Sequence, residues 1–238
     1  MHEGGSNGPC LRPRRDRALM RILGGATIQG VIDVWVEQMP NGWFGVAFHG
    51  ARLVATAVGS GHDDVLSSIR RCLPPSHPFR VVEDGSAAAR GMVAALSLLE
   101  SGGDDVPPFV LCTDCVSPSL AAVLGTASLI PRGYVTTYGR IAVAAGTEAR
   151  VVGQAMATNH LYPIVPCHRV VGVDLSLVGY SGRQDTAALR AKLDRLRAEA
   201  MGHREERLLG RLVVTPVEWV IRKALHDGVG TGQQLPLW

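Results

Sequence analysis

The sequence of 238 residues has no run of about eighteen apolar residues, so no segment is expected to span a membrane. Its start, Met1 to Arg17, is rich in Gly, Pro and Arg and lacks the apolar centre of a signal peptide, so a flexible arm of a cytoplasmic protein is expected there. Lysine is nearly missing: of 24 basic residues only Lys192 and Lys223 are not Arg. Arg suits phosphate and base contacts, but coding bias is the simpler explanation. The formal net charge of +3 does not by itself indicate nucleic acid. Cysteine is sparse and odd in number (Cys10, Cys72, Cys112, Cys115 and Cys167), which excludes the even framework of a secreted disulfide fold. Cys112 and Cys115 form a CxxC pair with no second pair to match it. A complete zinc site would need distant partners such as His2, Cys10 or His62, so a structural or redox pair is preferred and no cofactor is expected. Internal repeats are absent, and the first half carries no catalytic motif.

What is there divides into four parts: an arm over 1–24, an α/β domain over 25–112, a second domain over 113–202 and an extension over 203–238. Three β-rich runs, VIDVWVEQ, WFGVAFHG and ARLVATAV, are separated by turn signals at Asn41-Gly42 and Gly50-Ala51. Residues 62–72 and 86–100 read as helices, and PPFVLCT as a further strand. In the second domain, 117–129 suggests a helix and PRGYVTT a turn with a short extended piece. YGRIAVAA and EARVVGQAMAT then read as two helices broken at Gly146-Thr147, with Thr147 as the expected N-cap. Helix, short turn, helix is a helix-turn-helix pattern, weak on its own. Ala149, Gly153 and Ala157 keep one side of the second helix small. A third helix is expected from near Asp185 to Gly202, with Leu189, Leu193, Leu196 and Ala200 inward and Lys192 and Glu199 bordering that stripe. A charged pair pointing partly inward is costly without partners. Thr215 to Glu218 reads as a capping box with Pro at the first helical position, so the extension is expected to be one docked helix closing near Gly228.

The chemistry concentrates at YPIVPCHRVVG, where Cys167 adjoins His168. A thiolate is the nucleophile, and a thiol of ordinary pKa needs a base to form it. Neighbouring side chains on an extended strand point to opposite faces, so His168 reaches Cys167 only through a turn or a water. Bare Cys-His dipeptides are mostly inert, and the wider string carries more. IPRGYVTTYGRIA, ARVVGQAMATN, PIVPCHRVVG, GYSG and the Lys192-to-Glu199 run occur in one order at close spacing.

Over residues 115–200 this order resembles the O6-alkylguanine-DNA alkyltransferases, the methylated-DNA–protein-cysteine methyltransferases. The resemblance implies a ribonuclease H-like α/β first domain and a mainly α second domain with a helix-turn-helix of winged-helix-like type. It implies irreversible transfer of an alkyl group from O6-alkylguanine, and from O4-alkylthymine as a further substrate, to Cys167. His168 would act through a water as base, oriented by Glu199, and Tyr138 would protonate guanine N3. Pro163, Val170, Tyr180, Ser181 and Lys192 would form the substrate pocket. Arg150 would enter the duplex where the base leaves, with Thr147, Ala149, Gly153 and Ala157 against the minor groove. Asn159 would brace the turn before the Cys strand, and Arg169 would be structural. The implied partner is double-stranded DNA with alkylated guanine, met by a monomer without metal or cofactor. The sequence departs from the family at His160-Leu161-Tyr162, where a Pro-rich start is usual, and carries extra residues between Tyr180 and Lys192.

Three other readings compete. A non-catalytic damage binder of the same fold would lack the acceptor, which Cys167 supplies. A helix-turn-helix regulator explains 138–158 but leaves Cys167, Tyr138 and Glu199 unused. A thiol hydrolase with a Cys167–His168 dyad would turn over repeatedly.

Overall fold

The computed structural model describes residues 20–22, 30–75, 77–103, 106–112 and 116–229. Residues 1–19 of the expected arm, Cys10 and Cys115 lie outside the described residues, while Met20–Ile22, placed in that arm from the sequence, form a strand paired with Phe109–Leu111.

Three long strands, β2 (Ile32–Met39), β3 (Gly42–His49) and β4 (Arg52–Gly59), form an antiparallel meander. Gly50 supplies the left-handed backbone of the second hairpin turn at φ 58°. Strands β1 (Met20–Ile22), β5 (Phe79–Val81) and β6 (Phe109–Leu111) add parallel partners, giving the order β1-β6-β4-β3-β2-β5. The period-two pattern of β3 sends Phe44, Val46 and Phe48 to one face and Ala47 to the other. Helix α2 (Ala87–Glu100) covers the first face with Met92, Val93 and Leu96; its N-cap is Ser86, whose hydroxyl accepts from Ala89 N–H. Helix α1 (His62–Cys72) covers the second with Val65 and Ile69.

The larger apolar cluster continues without a break into the second half, through Ala121, Leu124, Ile141, Val152 and Met156. Helix α3 (Pro118–Ser128) leads to β7 (Tyr134–Thr137), α4 (Tyr138–Ala145) and α5 (Ala149–Ala157). A 3-10 turn at Cys167–Arg169 precedes β8 (Val170–Val171) and α6 (Thr186–Ala198). Thr56 fastens the first sheet to the approach to Cys167: its N–H donates to His160 O and its hydroxyl to Tyr162 O, both at 2.8 Å.

Several expectations are corrected. The second domain is mainly helical as expected, but its two short strands join two strands of the extension in a four-stranded sheet, β8-β7-β10-β9, that the sequence did not announce. The extension is a hairpin before it is a helix: β9 (Arg207–Leu209) and β10 (Leu212–Pro216) turn at Gly210 and precede α7 (Val217–His226). Leu212 and Val214 are buried while Leu208 is exposed, a strand alternation around a Gly turn. The capping box does not form. Thr215 ends in β10, its hydroxyl donating to Glu206, while Glu218 accepts the N–H groups of Met201, Gly202 and His203. Pro216 is the N-cap, not the first helical residue. Helix α6 stops at Ala198, short of Gly202, and Ala200, expected to face inward, lies beyond its end and is exposed.

Candidate active site

Thr137 opens α4 by accepting from Arg140 N–H, and Gly146 closes it at φ 69°. Three residues later α5 begins, so the two helices and their tight turn form the expected motif. Thr147 is not the N-cap of α5. Glu148 holds that position without a side-chain cap, while Thr147 N–H donates back to Ala142 O. Val152, Ala155 and Met156 anchor α5 to the core. Arg150 projects from its first turn, exposed and unpaired among the described residues. At Gly153 an added Cβ would meet nothing within 4 Å, so that side of the helix faces open space.

Between this side of α5 and the loop 178–184 lies an open cavity of about 340 Å³. Tyr138, Ala149, Gly153 and Ala157 line one side, Tyr180 and Ser181 the other, and Cys167 lines it from the core. Its size falls in the range of small-molecule sites. Cys167 opens the 3-10 turn, which solves the problem of opposed neighbours on a strand, and is 8% exposed. Asn159 shapes the approach: its amide donates to Val165 O at 2.7 Å and its oxygen accepts from Leu161 N–H at 3.0 Å. Burial pushes the Cys167 thiol above its ordinary pKa, against the weaker pull of the Asn159 amide and the charges of Lys192 and Arg195. The resting group is therefore a thiol, and a thiolate has to be made on demand.

The means lies next to it. His168 Nε2 is 2.8 Å from Glu199 Oε1, and Arg169 grips the same carboxylate with Nε and Nη2, both at 2.8 Å. Burial would raise the Glu199 carboxyl, but hydrogen bonds from His168 and Arg169 outweigh it and bring it down to about 2. An ionised carboxylate only accepts, so Nε2 of His168 must carry the proton and Nδ1 presents a lone pair. Nδ1 is buried without a protein partner. Burial also lowers the His168 pKa, which keeps the ring neutral and able to take a proton. Tyr138 keeps its proton, because burial and the nearby Cys167 raise its pKa.

The structure thus brings Cys167, Tyr138, Tyr180, Ser181, Ala149, Gly153 and Ala157 to one cavity, with His168, Glu199, Arg169 and Asn159 behind it. Three expected pocket residues stand elsewhere. Lys192 is fully buried and donates to the carbonyls of Val170, Leu177 and Gly179 at 2.6, 2.7 and 2.9 Å. Val170 is packed in β8, and Pro163 lines a second cavity that His168 also borders. Burial lowers the Lys192 ammonium to about 8. Arg183 and Gln184, among the extra residues after Tyr180, border the cavity, whereas sequence reasoning missed Arg195 altogether. Arg195 takes its meaning from Glu100, 95 positions away, and no local spacing marks that pairing. Cys112 is buried after β6, and no group of three metal-ligating side chains occurs among the described residues.

Residues 119–201 match the family model described as the 6-O-methylguanine DNA methyltransferase DNA-binding domain. A methylated-DNA–protein-cysteine methyltransferase of Pyrobaculum aerophilum is 60% identical over 53 residues, 22% of this chain and 36% of that protein, about a third of its length. Those of Mycobacterium leprae and Mycobacterium tuberculosis are 34% identical over 129 residues and 32% over 147. These two matches cover 52% and 59% of this chain, and 76% and 87% of the relatives. The crystal structure of Mycobacterium tuberculosis OGT in complex with DNA aligns over 71% of this chain and 96% of that one, at 27% identity and TM-score 0.47.

Proposed function

The chain belongs to the methylated-DNA–protein-cysteine methyltransferases, and from that premise we propose that it repairs O6-alkylguanine in duplex DNA by taking the alkyl group irreversibly onto Cys167. One observation carries the reading: a buried thiol at the foot of an open cavity, beside a neutral His whose free lone pair is fixed by a carboxylate.

The step balances without a cofactor. The Cys167 proton passes to His168 Nδ1 through a bridging water, and the sulfur attacks the alkyl carbon. The C–O6 bond breaks as the C–S bond forms, while Tyr138 gives its hydroxyl proton to guanine N3. The products are a thioether and guanine, and Tyr138 is reprotonated from His168 by way of solvent. A thioether has no leaving group that these residues could activate, so each chain acts once. Ser181 and nearby N–H groups bind O6, and Tyr180 walls the base.

O6 is covered by stacking in a duplex, so the base must be rotated out at a cost of a few kcal/mol. Arg150 fills the gap it leaves, and the small residues of α5 let its backbone approach the minor groove. Damage has no fixed sequence context, so phosphate contacts outweigh base-edge reading. In this account residues 25–112, with strand β1 ahead of them, form a ribonuclease H-like domain, the second domain over 113–202 carries a winged-helix-like motif, and O4-alkylthymine is a second substrate.

The test is mass spectrometry after mixing with DNA containing O6-methylguanine. One methyl on the Cys167 peptide, in amounts never exceeding the protein, is expected, and Cys167→Ser should bind DNA without being labelled. Repeated turnover, or labelling elsewhere, overturns the reading.

A further inference from the structure

At His160-Leu161-Tyr162, where the chain leaves its family's pattern, the Tyr162 side chain is built into a contact that joins the two halves. Its hydroxyl donates to Glu100 Oε1 at 2.5 Å, at the end of α2. Arg195, on α6, approaches the same carboxylate at 3.2 and 3.3 Å and lies over the Tyr162 ring, 5.1 Å from its centroid. The other edge of the ring meets His168, with centroids 6.4 Å apart at 71°. Tyr180, on the substrate cavity, interacts with Tyr162 and feels the charges of Arg195 and Glu100. All three members line the cavity of about 940 Å³ that also borders His168, Arg169 and Glu199.

We propose that Glu100, Tyr162 and Arg195 form a positioning network through which the first half of the chain holds the His168 ring and the Tyr180 wall in place for transfer. The inference rests on the alkyl-transfer reading. None of the three lines the Cys167 cavity, so they act through His168 and Tyr180. The geometry suits the task. Glu199 fixes only one edge of the imidazole, at Nε2, and leaves the rest of the ring to be held by its packing. Tyr162 packs edge-on against the imidazole, and Glu100 and Arg195 hold Tyr162 at its hydroxyl and its face.

The network also carries charge. His168 and Cys167 face Glu199, Arg169, Lys192 and Arg195, with the hydroxyls of Tyr138, Tyr162 and Tyr180. Arg195 lowers the pKa of both Cys167 and His168, and its contact with the Glu100 carboxylate partly neutralises that charge. Removing Arg195 therefore moves the pH dependence of thiolate formation upward. Removing the charge of Glu100 frees the field of Arg195 and moves it downward.

The experiment measures the rate of Cys167 alkylation by free O6-benzylguanine against pH in the full chain, for Arg195→Met, Glu100→Gln, Tyr162→Phe and Arg195→Lys. A thermal melt of each checks its fold. Expected losses at neutral pH are about three- to fivefold for Arg195→Met, in line with one part-buried charge contact, with most of the rate restored in Arg195→Lys. The midpoints of Arg195→Met and Glu100→Gln should move in opposite directions. Unchanged profiles in folded variants, or equal loss of rate with no change of midpoint, overturn the network. Should Arg195→Met fail to fold, Tyr162→Phe decides: it keeps the ring against His168 and drops the bond to Glu100, and a wild-type rate and profile overturn the proposal. Failure of the unaltered protein to label Cys167 overturns the alkyl-transfer reading instead.

Discussion

Nε2 of His168 lies 2.8 Å from Oε1 of Glu199, and that contact decides which nitrogen of the ring is basic. Replacing the carboxylate with an amide removes the charge that pins the proton on Nε2. Glu199→Gln should slow Cys167 alkylation by about a hundredfold, the low end for loss of a general base, while DNA affinity stays unchanged. Equal rates in the two proteins would remove Glu199 from the mechanism.

The same carboxyl predicts an acid sensitivity. Its folded pKa is depressed, from 4.5 to about 2, so the stability it contributes is present above 4.5 and lost as pH falls toward 2. The contribution is on the order of 3 kcal/mol for a group this well covered. Urea melts between pH 5 and pH 2 should show that loss in the wild type and a flatter profile in Glu199→Gln. Parallel profiles would contradict the assignment.

Lys192 is the buried charge that ties β8 to the cavity loop, through the carbonyls of Val170, Leu177 and Gly179. Lys192→Met keeps the stem and strips donors from three carbonyls, which should cost about 3 kcal/mol or more. Because Gly179 and Tyr180 belong to the cavity wall, transfer from O6-benzylguanine should fall more than DNA affinity does. A variant as stable as the parent would show that water replaces the ammonium without loss.

How much of this was legible beforehand differs by residue. The meander β2-β3-β4 was readable because one face is buried and the period of two survives in the letters. Cys167, His168 and Glu199 were readable through the resemblance, and their grouping stands. Lys192 was placed on the right side of α6 and given the wrong surroundings, because burial among three carbonyls leaves no trace in spacing. The hairpin β9-β10 was overlooked although Leu212 and Val214 alternate after a Gly, because Thr215-Pro216-Val217-Glu218 read as a helix start. Tertiary demand took Thr215 and Glu218 for other partners.

Arg150 and Gly153 lie on the open side of α5, and under the proposed function they separate DNA handling from chemistry. Arg150→Ala should lower repair of duplex DNA while leaving transfer from free O6-benzylguanine near wild type. Equal losses would deny Arg150 a role in base extrusion. Gly153→Phe should abolish transfer from both substrates, because its side chain enters the cavity. Gly153→Ala, with open space around the new Cβ, should raise stability by up to about 1 kcal/mol. A lowered melting temperature for Gly153→Ala would mean that α5 needs its glycine for reasons other than access.

The extension is part of the body. Val217, Val220 and Ala224 of α7 bury against Val135, Val171, Leu193 and Leu196, and β10 pairs with β7, the strand that delivers Tyr138. Arg140 adds a tie from α4 to the hairpin, donating to Glu206 at 3.0 Å and to Thr215 at 2.7 Å. A chain ending at Gly202 would expose that cluster, and each large apolar side chain returned to water costs about 1.5–3 kcal/mol. Against a total stability of about 5–15 kcal/mol, a few such losses unfold the second half. The shortened chain should therefore lose its cooperative melt and its ability to label Cys167. Were it instead to melt as the full chain does, α7 and the hairpin would be an appendage, and Tyr138 would owe its position to α3 and the first sheet alone.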